Sequence, residues 1–295
     1  MSTAAPKKIF PSALEDAAAS RLAAVTPQTE SSAYRLAFLD HDFILQEELR
    51  PIRLQLELLK PELLMQKYKI DSTVVIFGSA RLQDRQTAQT ELNAIQNEMQ
   101  QDPSETSLQI RLQAARRALD NSKYYEEARK LAAIISKNCQ CADKNTHVVI
   151  TGGGPGIMEA ANRGADEVKA KSIGLNIVLP HEQAPNLYIT PELSFQFHYF
   201  AVRKMHFLIR ARALVAFPGG FGTLDELFEA LTLIQTQKIK PMPVLLFGGE
   251  FWRKVINFEA LVHEGTISAK DLHIFSYVET AEEAWEHIAR FDELK

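Results

Sequence analysis

The chain has 295 residues, long enough for one large α/β domain with additions or for two small domains. Lys and Arg number 33 against 37 Asp and Glu, a formal charge of -4 without a long basic block, which argues against a broad nucleic-acid or membrane footprint. The two cysteines, Cys139 and Cys141, stand in poor geometry for a bridge, so neither a disulfide scaffold nor a thiolate metal site is expected, and a reducing cytoplasm fits.

Residues 1 to about 30 are rich in Ala, Ser, Thr and Pro and read as a flexible or loosely helical leader. Met1 to Phe10 lacks a charged start followed by a long apolar run, and no apolar stretch approaches the ~20 residues of a membrane helix. An unexported protein is expected. From Tyr34 to Tyr68 apolar residues recur at helical spacing, predicting a helical arm in which Pro51 and Pro61 start helices. Asp40-His41-Asp42 inside it has no second ligand cluster and reads as a solvated helix start.

An α/β pattern begins at Ser72, dividing the chain into a leader and arm, residues 1–71, and a nucleotide-binding catalytic domain, residues 72–295. Thr73 to Phe77 is a buried strand ending in Gly78-Ser79-Ala80-Arg81. The Gln-rich stretch from Leu82 to Ser122, broken at Asp102-Pro103, carries an apolar stripe (Leu92, Ile95, Met99, Leu108, Leu112, Ala115, Leu119) and reads as a helical hairpin inserted to pack on a partner. Helix Tyr124 to Asn138, strand His147 to Thr151, helix Gly156 to Lys169 and strand Ser172 to Leu179 follow. Past a loop around His181 to Leu187 come helix Tyr199 to Arg210, strand Ala213 to Phe217, helix Leu224 to Gln235, strand Val244 to Phe247, helix Glu250 to Glu264, a short strand near His273 to Phe275 and a helix from Ala281. This alternation implies a doubly wound, Rossmann-like parallel sheet whose ligands bind beyond the strands' carboxyl ends.

Three small-residue loops leave such ends: Gly78 to Arg81, Thr151-Gly152-Gly153-Gly154-Pro155-Gly156, and Pro218-Gly219-Gly220-Phe221-Gly222-Thr223. Right-handed connections bring them together, so one shared pocket is expected beside the plainer reading of three tight corners. The middle loop fails G-x-G-x-x-G because Ile157 stands where the third glycine belongs, and no triphosphate-binding G-x-x-x-x-G-K-[ST] exists, which leaves a monophosphate as the best-suited ligand. At the third loop, glycines and a helix start offer unpaired N–H groups to a phosphate, with Thr223 as N-cap and Glu226 on the first turn as an acid, base or ion-stabilising carboxylate. Thr223-x-x-Glu226 fits a capping box equally well. Arg203 and Lys204 lie on the preceding helix; Lys204 and Arg210 read as solvated charges, and His198 and His206 as packed or surface histidines.

With Gly78-Ser79, Gly152-Gly153-Gly154-Pro155-Gly156-Ile157-Met158-Glu159, Arg203-Lys204 and Pro218 to Glu226 in order, residues 72 to 280 resemble the Lonely Guy (LOG) family of nucleoside 5′-monophosphate phosphoribohydrolases. Many members carry the label lysine decarboxylase. The resemblance implies hydrolysis of the N-glycosidic bond of AMP or N6-substituted AMP, with Arg203 and Glu226 as the catalytic pair. It implies substrate contacts from Gly78, Ser79, Gly153, Gly154, Met158, Lys204, Gly219, Gly220, Gly222 and Thr223 and no metal or cofactor, while the apolar stripes of the arm and the insertion predict a homodimer or larger homo-oligomer. The arm and the insertion depart from minimal members. A helix start favours an ionised Glu226, and no lysine stands in a context that argues for a pyridoxal Schiff base. A non-catalytic nucleotide-binding protein and an interaction protein working through the arm remain open alternatives.

Overall fold

The computed structural model describes residues 10–21, 24–101, 106–141, 144–180 and 184–293. The expected leader before residue 10, the break at Asp102-Pro103 and the loop at residues 181–183 lie outside them, as does the side chain of Cys141. Two compact units divide the chain at residues 57 and 58, ahead of the expected domain start at Ser72.

The first unit is built from short pieces. Helices α1 (Ala13–Ser20), α2 (Pro27–Glu30) and α3 (His41–Ile44) alternate with 3-10 turns at Ser32–Tyr34, Ala37–Leu39 and Glu47–Leu49. The helical arm expected from Tyr34 breaks into short pieces over this stretch because the backbone becomes extended at Leu36, Asp40 and Gln46, and each restarts the chain. Asp40 caps α3 by accepting from the Phe43 N–H at 3.3 Å, which is the helix start expected of the Asp40-His41-Asp42 triplet. Only α4 (Arg50–Lys67) is long, and it runs on into the second unit. Pro51 sits in its first turn as expected, but Pro61 lies inside it, buried, and starts no helix.

The second unit is a seven-stranded sheet flanked by helices, a Rossmann-like α/β fold. In chain order its elements are β1 (Thr73–Phe77), α5 (Arg85–Gln101), α6 (Thr106–Cys139), the small antiparallel pair β2 (Gln140–Cys141) and β3 (Lys144–Asn145), β4 (Val148–Thr151), α7 (Ile157–Glu167), β5 (Ser172–Ile177), β6 (Ser194–Phe197), α8 (Phe200–Ile209), β7 (Ala211–Ala216), α9 (Phe221–Gln235), β8 (Val244–Phe247), α10 (Gly249–Val255), α11 (Phe258–His263), β9 (Phe275–Val278) and α12 (Ala281–Glu293). The order β6-β5-β4-β1-β7-β8-β9 is parallel throughout. The chain winds outward from β1 to β6, then returns to lay β7 on the other side of β1, so the switch point lies at β4, β1 and β7. β1 and β4 are buried along their whole lengths, as their unbroken apolar runs require when helices cover both faces.

The structure differs from the expectations at five points. The helix expected from Tyr124 begins at Thr106, because neither Pro nor Gly interrupts the sequence from there to Cys139. The insertion is therefore α5 folded against the first half of α6, and its stripe is closed within the hairpin: Leu92, Ile95 and Ala115 are buried together with Leu112 and Leu119 packed on them. The edge strand β6 was not foreseen, though Leu193, Phe195 and Phe197 alternate inward. The helix expected over Glu250 to Glu264 is two, α10 and α11, because Ile256 is extended and Asn257 caps the second through Ala260 N–H at 3.0 Å. The strand near His273 lies later, at Phe275–Val278, after a 3-10 turn over Ala269–His273.

Candidate active site

The three loops interlock through Ser79. Its N–H donates to the Pro218 carbonyl at 3.0 Å, while its own carbonyl accepts from the Ile157 N–H at 3.1 Å. Gly156, at φ 74°, permits this approach: a Cβ there would stand 2.3 Å from the Ser79 carbonyl oxygen. The loops thus form one wall of a cleft of about 820 Å³ at the carboxyl ends of β1, β4 and β7.

Buried amides hold the middle loop. Asn162, fully buried on α7, accepts from Thr151 Oγ1 at 2.8 Å and from Asn186 Nδ2 at 3.0 Å. Asn186 Nδ2 also donates to the Gly153 and Gly154 carbonyls, both at 3.1 Å, and Thr151 Oγ1 accepts from Gly153 N–H at 3.0 Å. With its carbonyls tied back, the loop holds a single shape beside the cleft.

Helix α9 begins one turn earlier than the sequence suggests. Gly220 is its N-cap and Phe221 its first residue, so Thr223 is the third helical residue and not the cap, and Glu226 stands in the second turn. No capping box exists here, because Glu226 is too deep in the helix to reach the cap amide. A Cβ added at Gly220 or Gly222 would meet nothing within 4 Å, so backbone at the helix start faces open cleft.

Glu226 is buried, and its Oε1 lies 3.5 Å from Arg203 Nη2. Burial pushes its carboxyl up to about 7; the charges of Arg203 and Lys204 pull down, and those of Glu229 and Asp225 push up again. The ionised state expected from the helix start alone is thereby corrected: desolvation in the second turn outweighs the helix terminus, leaving a carboxyl that titrates near neutrality. The Arg203 guanidinium lies over Phe200 and Phe207, 5.0 and 5.5 Å from the ring centroids, which hold it flat against the cleft wall. Its buried Nε has no hydrogen-bond partner among the described residues.

Of the residues singled out by sequence, Gly78, Ser79, Gly154, Met158, Arg203, Gly220, Gly222, Thr223 and Glu226 line the cleft. Three do not. Gly153 lies behind its loop against Asn176, whose Oδ1 a Cβ would meet at 2.3 Å. Gly219 backs onto Thr223, whose Oγ1 would stand 2.1 Å from such a Cβ. Lys204 is turned away and paired with Asp225 at 3.0 Å and Glu229 at 3.1 Å. Sequence reasoning gave no site role to the apolar walls Phe77, Ile177 and Leu179, nor to the side chains of Phe221 and Arg81 within the loops it named. It also missed Asn162, whose signal is a polar residue among the buried positions of α7, which are otherwise Ile157, Ala160, Ala161, Gly164 and Ala165. Among the described residues no group of three or more His, Cys, Asp or Glu is arranged to hold a metal ion, and no helix is long and apolar enough to cross a membrane.

Residues 158–288 match a protein family described as "Possible lysine decarboxylase". The chain is 30% identical over 156 residues to cytokinin riboside 5′-monophosphate phosphoribohydrolase LOG1 of Arabidopsis thaliana, covering 71% of that protein and 51% of its own length. The chain belongs to the LOG family. Two rice (Oryza sativa subsp. japonica) LOG proteins, both described as probable cytokinin riboside 5′-monophosphate phosphoribohydrolases, are 28% and 26% identical, and the match spans 61% and 66% of their lengths and 50% and 52% of this chain. Among solved structures, a molybdenum cofactor binding protein from Rippkaea orientalis is similar at 22% identity and a TM-score of 0.40, over 57% of this chain and 87% of that one. A Moco carrier protein from Chlamydomonas reinhardtii is similar at 20% identity and a TM-score of 0.42, over 59% and 90%. Arg203, Glu226 and the glycine turn before α9 all lie within residues 158–288, the segment matched by that family.

Proposed function

We propose that this LOG-family protein hydrolyses the N-glycosidic bond of purine nucleoside 5′-monophosphates, releasing free base and ribose 5-phosphate. The observation that carries the reading is the meeting, in one cleft, of the half-buried Arg203 and the buried Glu226 with the open helix start at Gly220 to Thr223. The helix start takes the phosphate through backbone N–H groups. As the base departs with the electron pair of the broken C–N bond and takes a proton from solvent, the ribosyl group gains oxocarbenium character; ionised Glu226 stabilises that charge and accepts the proton of the attacking water. A carboxyl near neutrality suits this proton transfer, since both of its states are accessible at pH 7. Arg203 supplies positive charge that keeps part of the Glu226 population ionised. The names of the Arabidopsis and rice relatives support AMP bearing an N6 substituent as the preferred substrate, with the apolar cleft walls to receive the substituent.

A decarboxylase is not favoured, because no lysine is among the described residues lining the cleft. We also propose a homodimer or larger homo-oligomer in the cytoplasm. The face of α4 that carries Ile52, Leu56, Leu59 and Leu63 is exposed, whereas the hairpin stripe is closed on itself. Light scattering that gives a monomer at micromolar concentration overturns the assembly.

The test of the activity is incubation with AMP, GMP, CMP and N6-isopentenyl AMP, followed by chromatography for free base and ribose 5-phosphate. Base released from AMP or its N6 derivative is the expected result. Nucleotide binding without release of any base would replace the enzyme with a nucleotide-binding protein on the same fold.

A further inference from the structure

A second cavity, of about 340 Å³, lies at the amino ends of β8 and β9, away from the glycine loops. Its size falls within the range of about 300–1,000 Å³ usual for small-molecule pockets. The floor is apolar and buried, formed by Met242, Val244 and Leu245. Over it stand three basic side chains from two elements: Lys270 and His273 from the 3-10 turn after α11, and His287 from α12.

The charge balance of this cavity is one-sided. Among the described residues no carboxylate lines it, and no side-chain hydrogen bond or ion pair engages Lys270, His273 or His287, although the Lys270 charge acts on the neighbouring Asp271. Asp271, next to Lys270 in sequence, has its Oδ2 taken by Gln235 Nε2 and by the N–H and hydroxyl of Ser268, each at 2.8 Å. Lys270 thus offers a charge and the two imidazoles offer N–H donors above an apolar floor. An anion would complete them, and its hydrogen bonds would be charge-assisted.

We propose that this cavity binds a small organic anion with a compact apolar body, the body against Met242, Val244 and Leu245 and the negative group among Lys270, His273 and His287. The site is independent of the proposed hydrolysis. Nothing in the cleft at Arg203 and Glu226 contributes to it, and the two cavities share no lining residue.

Benzoate is the probe, titrated by calorimetry into the full-length protein. Benzyl alcohol matches its body without the charge, and acetate its charge without the body. The expected result is saturable binding of benzoate that exceeds that of both controls, weakened about tenfold or more in Lys270→Gln and in His287→Gln. These residues are exposed, so the variants should fold as the parent does. Ser276→Phe, which places a ring in the cavity, should abolish binding while circular dichroism stays unchanged, and Arg203→Ala should leave it intact. Absence of saturable benzoate binding, equal binding of benzyl alcohol, or loss on Arg203→Ala without loss on Lys270→Gln would each overturn the proposal.

Discussion

Arg203 Nη2 and Glu226 Oε1 stand 3.5 Å apart, one on α8 and the other in the second turn of α9, with both side chains largely withdrawn from solvent. The distance is long for a hydrogen bond, so the pair is an electrostatic one that leaves both groups with bonding capacity for a ligand. A capping role for Glu226 is excluded by the same geometry.

Glu226→Gln should therefore lower AMP hydrolysis by ~10²-fold or more while AMP still binds, because the amide keeps shape but neither charge nor basicity. In the parent, kcat/KM should rise with pH to a plateau above about 7, as the carboxyl that burial has raised becomes ionised. The second ionisation of a substrate phosphate lies near 6 and gives a separate limb. Steady-state kinetics from pH 5.5 to 8.5 supply the check; a rate that falls with rising pH would assign Glu226 the opposite, acidic role.

The same substitution should change stability with a definite sign. Burial raises the folded pKa from 4.5 to about 7, so the folded chain holds this proton more tightly than the unfolded one. The stability the group contributes is full below about pH 4.5 and is lost as pH rises through about 7. The cost of ionising it in place is of the order of 3 kcal/mol. Glu226→Gln avoids that cost and should be the more stable protein in urea at pH 8, with the advantage shrinking towards pH 5. An advantage that grows on acidification would contradict the burial account.

The open helix start makes the substrate's phosphate decisive. AMP should be cleaved and adenosine should not, the two differing by several powers of ten in kcat/KM, since each lost charge-assisted hydrogen bond is worth about 1.5–3 kcal/mol. Turnover should fall as well as affinity, because remote binding energy positions the reacting bond. Equal rates for the two compounds under identical conditions would reduce the glycine turn to a corner of the fold.

Asn186 reaches the middle loop from outside α7 and ties down two of its carbonyls. Asn186→Ala should raise KM for AMP more than it lowers kcat, because the loop loosens while Arg203 and Glu226 stay in place. Asn162→Ala, at a fully buried position, should in addition destabilise the fold by about 1–3 kcal/mol through the donors it strands. An unchanged KM in the Asn186 variant would confine this network to a structural role.

The sequence by itself determined the central strands and glycine loops of the parallel sheet, since buried strands need unbroken apolar runs and tight loops need small residues: Thr73 to Phe77 and Gly152 to Gly156 are legible one residue at a time, whereas the edge strands β6 and β9 were missed or misplaced. It also placed all three loops at strand carboxyl ends, but their meeting at one point depends on β1 lying between β4 and β7, a strand order that only the tertiary structure decided. What it could not determine depends on groups distant in the chain. The start of α9 at Phe221, the outward turn of Lys204 toward Asp225 and Glu229, and the withdrawal of Gly153 and Gly219 behind their loops are settled by packing between elements. The protonation of Glu226 is decided the same way. A helix start argues locally for an ionised carboxylate, but removal from water scales with everything packed around the group, and that burden is visible only once α8 and α9 are side by side.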